Sequence, residues 1–455
     1  NNSGQLGIGN TDVQVLPQKM TVVSGIKEIA AGTNHSIMLA ENGYVYSVGN
    51  DSNSQLGDGN STNISTPIYV RNTSGKLVTD AKHIEAGGDS TYISRKKDAE
   101  GKAQGMYVIG YNNYGQLFTQ NTTTATRATE VEKNLDILEI AATQYSTALI
   151  VDGEGNVYTV GYDGQGQLGS GIYENTKNKI CISNIQVKVT SQTINYQNVG
   201  ENSEKILAKT TIGFNLIKEN IEGSTYEFKT LDSEVATVDK QGIVTSTGIG
   251  TTYIKVHDTT TDSWNAVKVN VNGAENKTQP KVVGGGYYFA ALKGNGTVYT
   301  WGYNGSGQLG LGDTNNRTEP TKTNMKAIID IAAGNNHTLV LKADGTVWAT
   351  GLNNYGQLGN GTTENTNTFQ QVKLNENGDY LENIVSIAAG YTASYAVTAE
   401  GEVYGWGRND DGELGIGSKS SEINELYPVK MKKVSKIIQV AAGANHTIML
   451  DADGN

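Results

Sequence analysis

The chain repeats itself, and this repetition constrains its fold more than any other feature. A Gly-Gln-Leu-Gly-like element recurs seven times, with its leucine at Leu6, Leu56, Leu117, Leu168, Leu309, Leu358 and Leu414. In six copies a Val-Tyr-x-Trp-Gly-like segment lies upstream, and its closing glycine always stands seven residues before the leucine. A spacing of about 50 residues indicates a repeat architecture, in which each unit buries its apolar face against the next unit.

Each repeat contains about four short strand candidates. In one repeat, Ile329–Ala332 precedes a glycine turn, His337–Leu341 follows it, Asp344-Gly345 makes a tight hairpin and Thr346–Thr350 returns. A weaker edge strand lies in the stretch of variable length that follows. Four strands in each of seven units predict a β-propeller, because a ring leaves fewer exposed strand edges than an open array. We therefore expect an all-β chain folded as a seven-bladed β-propeller.

A third element, Ala-Ala-Gly-x-x-His-Thr, completes the repeat, as in Ala332–Thr338 and Ala441–Thr447. Together the three elements resemble the regulator-of-chromosome-condensation (RCC1-type) repeat. The resemblance covers the whole chain except roughly residues 185–275. It implies the family fold, which is a seven-bladed β-propeller.

One interval between repeats, from Leu168 to Leu309, exceeds the others by about 90 residues, which is enough for a small domain. The repeat motifs vanish there, and alternating strand patterns take their place. The run Asp232–Thr245, followed by Gly248–Ile254, resembles the bacterial immunoglobulin-like group 2 (BIG2) domain. We therefore predict three segments: a first propeller part at 1–184, an inserted immunoglobulin-like β-sandwich at 185–275 projecting from one face, and a second propeller part at 276–455.

The spacing of the repeats also bears on how the ring closes. It places the Trp-Gly glycine of the last repeat at position 460, beyond the final residue of the sequence. We expect the N- and C-terminal parts to share one blade, and the array to belong to a longer protein. Flanking residues, or an identical chain by strand addition, would then supply the remaining strand.

Charge and composition narrow the function classes. The net charge is −11 at pH 7 and the pI is about 5.1, which argues against nucleic acid, because such partners are held by lysine and arginine. No apolar run approaches the roughly 18 residues of a membrane span. His35, His337 and His446 occupy one equivalent place in three repeats, so we expect them to be spread around the ring in a structural role. The sequence predicts no catalytic residue, no metal site and no cofactor.

Candidate interaction residues are exposed aromatic side chains and one basic run. Aromatic residues are the most frequent anchors of protein interfaces. The basic run stands out against the acidic balance and begins a hairpin longer than its siblings. The candidates are Tyr69, Arg95, Lys96, Lys97, Tyr111, Tyr114, Tyr303, Tyr355 and Tyr380.

These observations favour a non-enzymatic bacterial protein, extracellular or on the cell surface. Its propeller would be a scaffold for a protein or glycan partner on the loop face, or for self-assembly into a filament. One alternative, implied by the family resemblance, is a guanine-nucleotide exchange regulator of a small GTPase. Another is a glycan-active enzyme with a site in the central channel, although the sequence shows no pair of channel carboxylates at equivalent positions.

Overall fold

The computed structural model describes residues 1–186, 193–200, 213–215, 226–233, 235–238, 240, 243–246, 250–259, 263–272, 280–419 and 424–455. These residues form β-strands, turns and loops, and no helix is present among them. The secondary structure of the described residues therefore confirms the all-β prediction.

Three antiparallel four-stranded sheets precede the insertion, and we call them blades 1 to 3. They are β1–β4 (Ile26–Ala31, His35–Ala40, Val45–Gly49, Ile64–Tyr69), β5–β8 (Ala81–Gly87, Ser90–Arg95, Met106–Gly110, Ala125–Val131) and β9–β12 (Ile137–Ala142, Thr147–Asp152, Asn156–Gly161, Thr176–Gln186). In each sheet the strands pair in sequence order, so every repeat motif lies at a fixed place in its sheet.

The insertion contributes two smaller sheets. The first has the order β13-β19-β18-β15 and the second has the order β14-β17-β16. Their strands are β13 (Thr193–Gly200), β14 (Gly213–Asn215), β15 (Tyr226–Thr230), β16 (Ala236–Val238), β17 (Ile243–Ser246), β18 (Gly250–Asp258) and β19 (Ser263–Asn272). A separate apolar cluster that includes Val235, Val244 and Ile254 forms their core.

Three more four-stranded sheets, blades 4 to 6, and one two-stranded sheet follow the insertion. They are β20–β23 (Lys281–Gly284, Tyr288–Leu292, Val298–Gly302, Arg317–Lys322), β24–β27 (Ile328–Ala333, His337–Lys342, Val347–Gly351, Thr366–Gln371), β28–β31 (Ile384–Ala389, Ala393–Thr398, Val403–Gly407, Glu425–Lys430) and β32–β33 (Ile437–Ala442, Thr447–Asp451).

The apolar cores of the ring lie between neighbouring sheets. Side chains of the innermost strands pack alternately towards the sheet before and the sheet after, as Ile29 and Ala30 do. The two-stranded sheet packs against blade 6 on one side and blade 1 on the other. The sheets therefore close into a β-propeller around a central channel lined by the innermost strands.

The two ends of the channel differ in the connections that surround them. First and third strands of a blade run in the same direction, so their C-terminal ends meet at one end of the propeller. This end, which we call the turn face, carries the turns between first and second strands and the Gly-Gln-Leu-Gly loops. The opposite end, the hairpin face, carries the second hairpins and the connections between blades. Because the insertion joins β12 to β20, it leaves the propeller from the hairpin face.

The repeat analysis located the propeller strands well, as β25 and β26 show. The domain boundaries 1–184, 185–275 and 276–455 stay a prediction, although β12 continues to Gln186 and pairs with β11 there. Several residues of the predicted insertion, 187–192 among them, lie outside the described residues.

Candidate protein-binding face

Each Gly-Gln-Leu-Gly loop on the turn face is held by an Asn or Asp five residues before its leucine. In all seven copies the side-chain Oδ1 accepts the leucine N–H, and the seven residues are Asn1, Asp51, Asn112, Asp163, Asn304, Asn353 and Asn409. The asparagines also donate from Nδ2 to carbonyls further along the loop, as Asn353 does to Thr362 and Glu364. These bonds fix the loop backbone, so the turn face presents a preformed surface.

The two aspartates accept the leucine N–H as the asparagines do, but an ionised carboxylate has no N–H to donate to the loop carbonyls. Oδ2 of Asp51 and Oδ2 of Asp163 are buried and have no hydrogen-bond partner among the described residues. Burial raises the pKa of Asp51 to about 7 and the pKa of Asp163 to about 6. A protonated carboxyl can donate as the asparagine amide does, so these loops favour the acid form.

Backbone hydrogen bonds join the first turns of neighbouring sheets around the channel mouth. The bonds run from Thr33 N to Gly88 O, Gln144 N to Gly285 O, Gly286 N to Asn335 O, Asn335 N to Tyr391 O, Tyr391 N to Gly443 O and Ala444 N to Thr33 O, at 2.8–3.3 Å. The last bond links the two-stranded sheet to blade 1. Among the described residues, main-chain bonds therefore bridge every pair of neighbouring sheets around the mouth except blades 2 and 3.

The three repeat histidines connect neighbouring sheets beneath this rim. Each ring Nε2 lies 2.9–3.0 Å from a hydroxyl of the next sheet: His35 to Thr91, His337 to Ser394 and His446 to Ser36. Those hydroxyls donate to glutamine carbonyls of the loops, so we assign the Nε2 proton as the donor to the hydroxyl. Burial lowers the pKa of His337 to about 3, which keeps the ring neutral.

Close packing explains why glycine precedes these histidines by three residues. A Cβ on Gly334 would lie 2.1 Å from Cε1 of His337, which no side chain could accommodate. The expected structural role of the histidines agrees with these contacts.

A cluster of tyrosines occupies one side of the channel mouth. The rings of Tyr145 and Tyr287 stack with centroids 4.5 Å apart, and Tyr162 lies 5.7 Å from Tyr287. Tyr114 continues the cluster outwards, with its ring 5.2 Å from that of Tyr162. The hydroxyl of Tyr145 reaches across the channel to the hydroxyl of Tyr391, 2.6 Å away. Burial, then the hydrogen bond with Tyr391, raises the pKa of Tyr145.

The channel wall behind the mouth carries acidic residues from the innermost strands. Oε2 of Glu28 lies 3.3 Å from Nδ1 of His83, and Lys281 donates to Asp330 at 2.7 Å. Burial, with added repulsion from Glu28, raises the pKa of Glu85 to about 8. Burial also raises the pKa of Glu139 to about 7. The structure thus brings carboxylates together on the channel wall. Comparison of equivalent positions in the repeats did not find them.

The insertion contacts the hairpin face of the ring. Asp232 pairs with Lys27 of the innermost strand of blade 1, at 3.2 Å, and both side chains are largely buried. Leu231 joins the apolar cluster between the two-stranded sheet and blade 1, and Tyr253 packs against it. Two further pairs, Lys229 with Glu41 and Lys255 with Asp453, lie beside this contact. The insertion is therefore in contact with the hairpin face, and its projection from one face of the ring stays a prediction.

The predicted interaction residues do not form one patch. Tyr111, Tyr114, Tyr303 and Tyr355 lie on the turn face, and Tyr114 is 40% exposed. The exposed Tyr69 ends the outer strand of blade 1, where its ring meets Tyr44 edge-on and Tyr46 at a tilt, and the exposed Tyr380 follows the outer strand of blade 5.

The predicted basic run lies on the hairpin face. Arg95 is mostly buried and bonded to Asp80 and Glu130. Lys97 pairs with Asp136 at 3.0 Å, and the backbone N–H of Lys96 donates to the Asp80 carbonyl. The interaction roles of all nine candidates stay predictions.

Sequence analysis missed Tyr145, Tyr287 and Tyr391. One signal was available, because the spacing between the turn and the Trp-Gly glycine is one residue longer in blade 3 than in most blades. In the structure Thr147 pairs with Gly161 as His35 pairs with Gly49, so the extra residue lies in the turn that carries Tyr145.

Within the described residues, no cluster of three or more His, Cys, Asp and Glu side chains has a geometry suited to a metal ion. The same part of the chain offers no helix with the length and apolarity needed to cross a bilayer.

Comparison with known proteins identifies the fold family. The RCC1-like domain model matches residues 107–455, and the regulator of chromosome condensation (RCC1) repeat model matches residues 1–39 and 42–93. Among solved structures, Prp20p of Saccharomyces cerevisiae superposes with a TM-score of 0.64 at 19% identity, covering 98% of this chain and 88% of Prp20p. Human WBSCR16 superposes with a TM-score of 0.63 at 16% identity, covering 96% of this chain and 89% of its own.

Curated relatives match over shorter segments. The ultraviolet-B receptor UVR8 of Arabidopsis thaliana is 30% identical over 176 residues, which is 38% of this chain and 39% of UVR8. The probable E3 ubiquitin-protein ligase HERC4 of Homo sapiens is 33% identical over 188 residues, which is 40% of this chain and 17% of HERC4. The match thus spans well under two thirds of either relative.

These likenesses overturn the main functional interpretation of the sequence. The relatives are a plant photoreceptor and a human ubiquitin ligase, and the yeast neighbour is described by its binding to Gsp1p and histones. A bacterial surface scaffold that self-assembles is therefore the wrong interpretation. The extracellular or cell-surface location stays a prediction, as does the glycan-active alternative. A model that matches residues 107–455, more than half of the sequence, shows that the chain belongs to the RCC1-like domain family.

Proposed function

We propose that the chain is a regulatory protein that docks a small GTPase on its turn face and promotes release of the bound guanine nucleotide. The observation that carries this proposal is the asymmetry of the propeller. The insertion contacts the hairpin face through Lys27–Asp232 and the buried Leu231, and this contact favours the turn face as the docking surface. Prp20p, which shares the fold, is described by its binding to Gsp1p and histones.

The finer architecture belongs to the same proposal. We infer that the two-stranded sheet is the inner half of a seventh blade, with residues near Val15 as its outer strand. Val15 O accepts a bond from Gly417 N at 2.8 Å, just as Asn367 O on the outer strand of blade 5 accepts one from Gly312 N at 2.8 Å. We also infer that the two insertion sheets form an immunoglobulin-like sandwich, which their shared core supports.

The chain acts in this proposal by binding rather than by covalent chemistry. A preformed rim suits that role, because a docking surface that is already ordered loses little conformational entropy on association. The asparagine side chains that hold the Gly-Gln-Leu-Gly loops, together with the backbone hydrogen bonds between turns, supply this order.

A nucleotide-release assay tests the proposal. Small GTPases of several subfamilies, loaded with fluorescent GDP, are mixed with the 455-residue chain, and release is followed with and without it. We expect at least a tenfold acceleration for one GTPase. Tyr114→Ala and Tyr355→Ala on the turn face should weaken it, whereas Tyr380→Ala on the opposite side should not. If no GTPase is bound or accelerated, the proposal is overturned.

A further inference from the structure

The two-stranded sheet carries a strand edge that no other strand covers among the described residues. β33 pairs with β32 in the register of blade 5, since Ala442 lies opposite Thr447 as Ala333 lies opposite Thr338. In blades 1 to 6 the second strand also pairs with a third strand, whereas β33 has β32 as its one described partner strand. The free edge of β33 therefore presents backbone N–H and C=O groups with which an added strand can pair.

The segment around Val15 stands where the fourth strand of a blade stands. Val15 O accepts the Gly417 N–H at 2.8 Å, as Asn367 O of β27 accepts the Gly312 N–H at 2.8 Å. In blade 5 one strand, β26, lies between β25 and β27 and pairs with both. The gap between β33 and the segment around Val15 thus corresponds to the place of a single strand.

A cavity of about 320 Å³ lies in this gap and has mainly apolar walls. Its lining comes from β33, from the segment around Val15 and from both neighbouring blades, and it includes Leu16, Met20, Met38, Met431 and Leu450. Thr447 and Met449 of β33 are only half-buried, whereas the equivalent Thr338 and Val340 of β25 are fully buried. This difference is expected for a second strand that has no third strand beside it.

The third strands of blades 4 and 6 show which sequence fits such a place. They read Val298-Tyr299-Thr300-Trp301-Gly302 and Val403-Tyr404-Gly405-Trp406-Gly407. The valine and the tryptophan of both strands are fully buried. The glycine is required because a Cβ on Gly302 would lie 2.5 Å from the carbonyl oxygen of Tyr287. Asn445 is the residue equivalent to Tyr287, so a strand added to β33 meets the same restriction.

The position of the tryptophan also has room beside the two-stranded sheet. In blade 6 the indole lies against the last glycine of the preceding Gly-Gln-Leu-Gly loop, since a Cβ on Gly359 would lie 2.8 Å from Trp406 Nε1. The equivalent glycine before the two-stranded sheet is Gly415, which lines the cavity. The atoms nearest to a Cβ on Gly415 belong to Pro17 and Met431. The place that an indole takes in blade 6 is therefore part of the cavity here.

A second copy of this chain has no free strand of this kind to offer. Both matching strands, β22 and β30, lie in the middle of four-stranded sheets, and Trp301 and Trp406 are fully buried there. Their release would require a folded sheet to open. The pattern therefore has to come from a segment of another protein.

We propose that the slot between β33 and the segment around Val15 binds an extended segment of a partner protein that reads Val-aromatic-small-Trp-Gly. The segment adds to the edge of β33 as an antiparallel strand, with its tryptophan beside Gly415. In such strand additions the main-chain hydrogen bonds supply affinity and the pockets for alternate side chains supply specificity. The inference rests on the outer strand inferred above for the seventh blade, and it does not depend on GTPase binding.

A synthetic peptide tests the inference with the full 455-residue chain. The peptide copies residues 297–304, carries a fluorescent label and is titrated by fluorescence anisotropy. We expect saturable binding, at least tenfold tighter than that of a scrambled peptide and of a peptide with the change Trp301→Ala. Equal binding of the three peptides, or no binding of the first, would overturn the inference.

Three variants at one position of β33 locate the site. The Asp451 N–H bonds to Asn455 O, and N–H groups on one edge alternate along a strand, so the Met449 N–H points into the slot. Met449→Pro removes this donor and Met449→Trp fills the cavity, and each should weaken peptide binding at least tenfold. Met449→Leu keeps both donor and space and should bind within twofold of the unaltered protein. Unchanged affinity in folded Met449→Pro and Met449→Trp would count against the slot.

Hydrogen exchange and sedimentation identify the occupant. The peptide should slow exchange at Thr447–Asp451 and leave β25 unchanged. Self-association of the protein alone that slows exchange at Thr447–Asp451 would make a second copy the occupant and overturn the inference. Nucleotide release is measured without the peptide, so a GTPase can be accelerated when no peptide binds, and the peptide can bind when no GTPase is accelerated.

Discussion

The hydroxyls of Tyr145 and Tyr391 lie 2.6 Å apart, although the two residues are separated by 246 positions in the sequence. One belongs to the first turn of blade 3 and the other to the first turn of blade 6, so their bond spans the channel mouth. The bond ties together two blades that are not neighbours in the ring. It also holds the Tyr145 ring against Tyr287.

We expect Tyr391→Phe to loosen this side of the rim with little effect on the rest of the ring. The lost bond should cost about 1 kcal/mol of unfolding free energy, the usual net value for one hydrogen bond. Hydrogen exchange should quicken at Gln144–Ser146 and stay unchanged in β25. Tyr380→Phe, at an exposed site, is the matched control. Unchanged exchange at Gln144–Ser146 would show that the bond does not order the rim.

Replacing the two loop aspartates by asparagine should stabilise the protein at alkaline pH. Asp51→Asn supplies the missing donor, and we expect a gain of about 1–3 kcal/mol at pH 8. The gain should shrink towards pH 5, because the pKa of Asp51 in the folded protein is about 7 and its protonated form already donates. The folded state therefore binds this proton more tightly than the unfolded state, so this group's contribution to stability falls as pH rises from about 4 to about 7.

Urea unfolding of Asp51→Asn, Asp163→Asn and the unaltered protein at a series of pH values measures this effect. Glu100→Gln, on an exposed hairpin, serves as the control and should be neutral. If Asp51→Asn is less stable than the unaltered protein at pH 8, then the aspartate loops do not lack a hydrogen-bond donor.

The buried histidines should destabilise the protein in acid. Burial holds the pKa of His35 at about 4 and the pKa of His446 at about 3, so these rings stay neutral in the folded state while the unfolded chain takes up protons below about pH 6.5. Unfolding free energy should therefore fall with decreasing pH, by up to about 1.4 kcal/mol per pH unit for each histidine.

The comparison of His337→Gln with the unaltered protein isolates one such contribution. The amide can still donate to Ser394 but does not titrate, so the slope of stability against pH between about 6 and 4 should be shallower in the variant. Identical slopes for the two proteins would show that His337 is not buried in its neutral form.

The contact between Lys27 and Asp232 should hold the insertion on the hairpin face. Removal of one charge by Asp232→Asn leaves Lys27 buried without its counter-ion, which we expect to cost about 3–5 kcal/mol. The double variant Lys27→Met with Asp232→Asn should be less destabilised than Asp232→Asn alone. Lys229→Ala, which breaks a more exposed pair, should cost under about 1 kcal/mol.

Proteolysis reports on this contact directly. Asp232→Asn should be cleaved within the insertion at lower protease concentration than Lys229→Ala. Equal cleavage of the two variants would show that the Lys27–Asp232 pair does not hold the insertion against the propeller.

Much of the fold follows from the sequence because the repeat motifs act locally. Each motif makes its hydrogen bonds within one sheet or to the next sheet: the Gly-x-x-His turn, the Trp-Gly strand, and the Asn or Asp that holds each Gly-Gln-Leu-Gly loop. The spacing of the motifs therefore determines where the strands begin and end. The loop-holding residue could also have been found from the sequence, since Asn or Asp stands five residues before every repeat leucine.

The site depends on distances that spacing does not encode. Whether Tyr145 meets Tyr391 depends on the diameter of the ring and on one extra turn residue in blade 3. The position of the insertion on the propeller depends on contacts of Leu231 and Asp232 with residues that are distant in the sequence. A pattern of predicted strands does not reveal such contacts. The bacterial interpretation rested on the insertion alone, and resemblance over part of an insertion says little about the function of the ring that carries it.

The peptide bonds that join the turns of the rim have a consequence for variation. Because Thr33, Asn335 and Tyr391 contribute main-chain atoms to these bonds, the bonds themselves do not require a particular side chain at those positions. These three positions can therefore vary while the bonds remain, whereas Gly88 and Gly443 must stay glycine, because a Cβ there would lie 2.5 Å or less from a neighbouring atom. The same property makes the propeller a frame on which new recognition sites could be engineered.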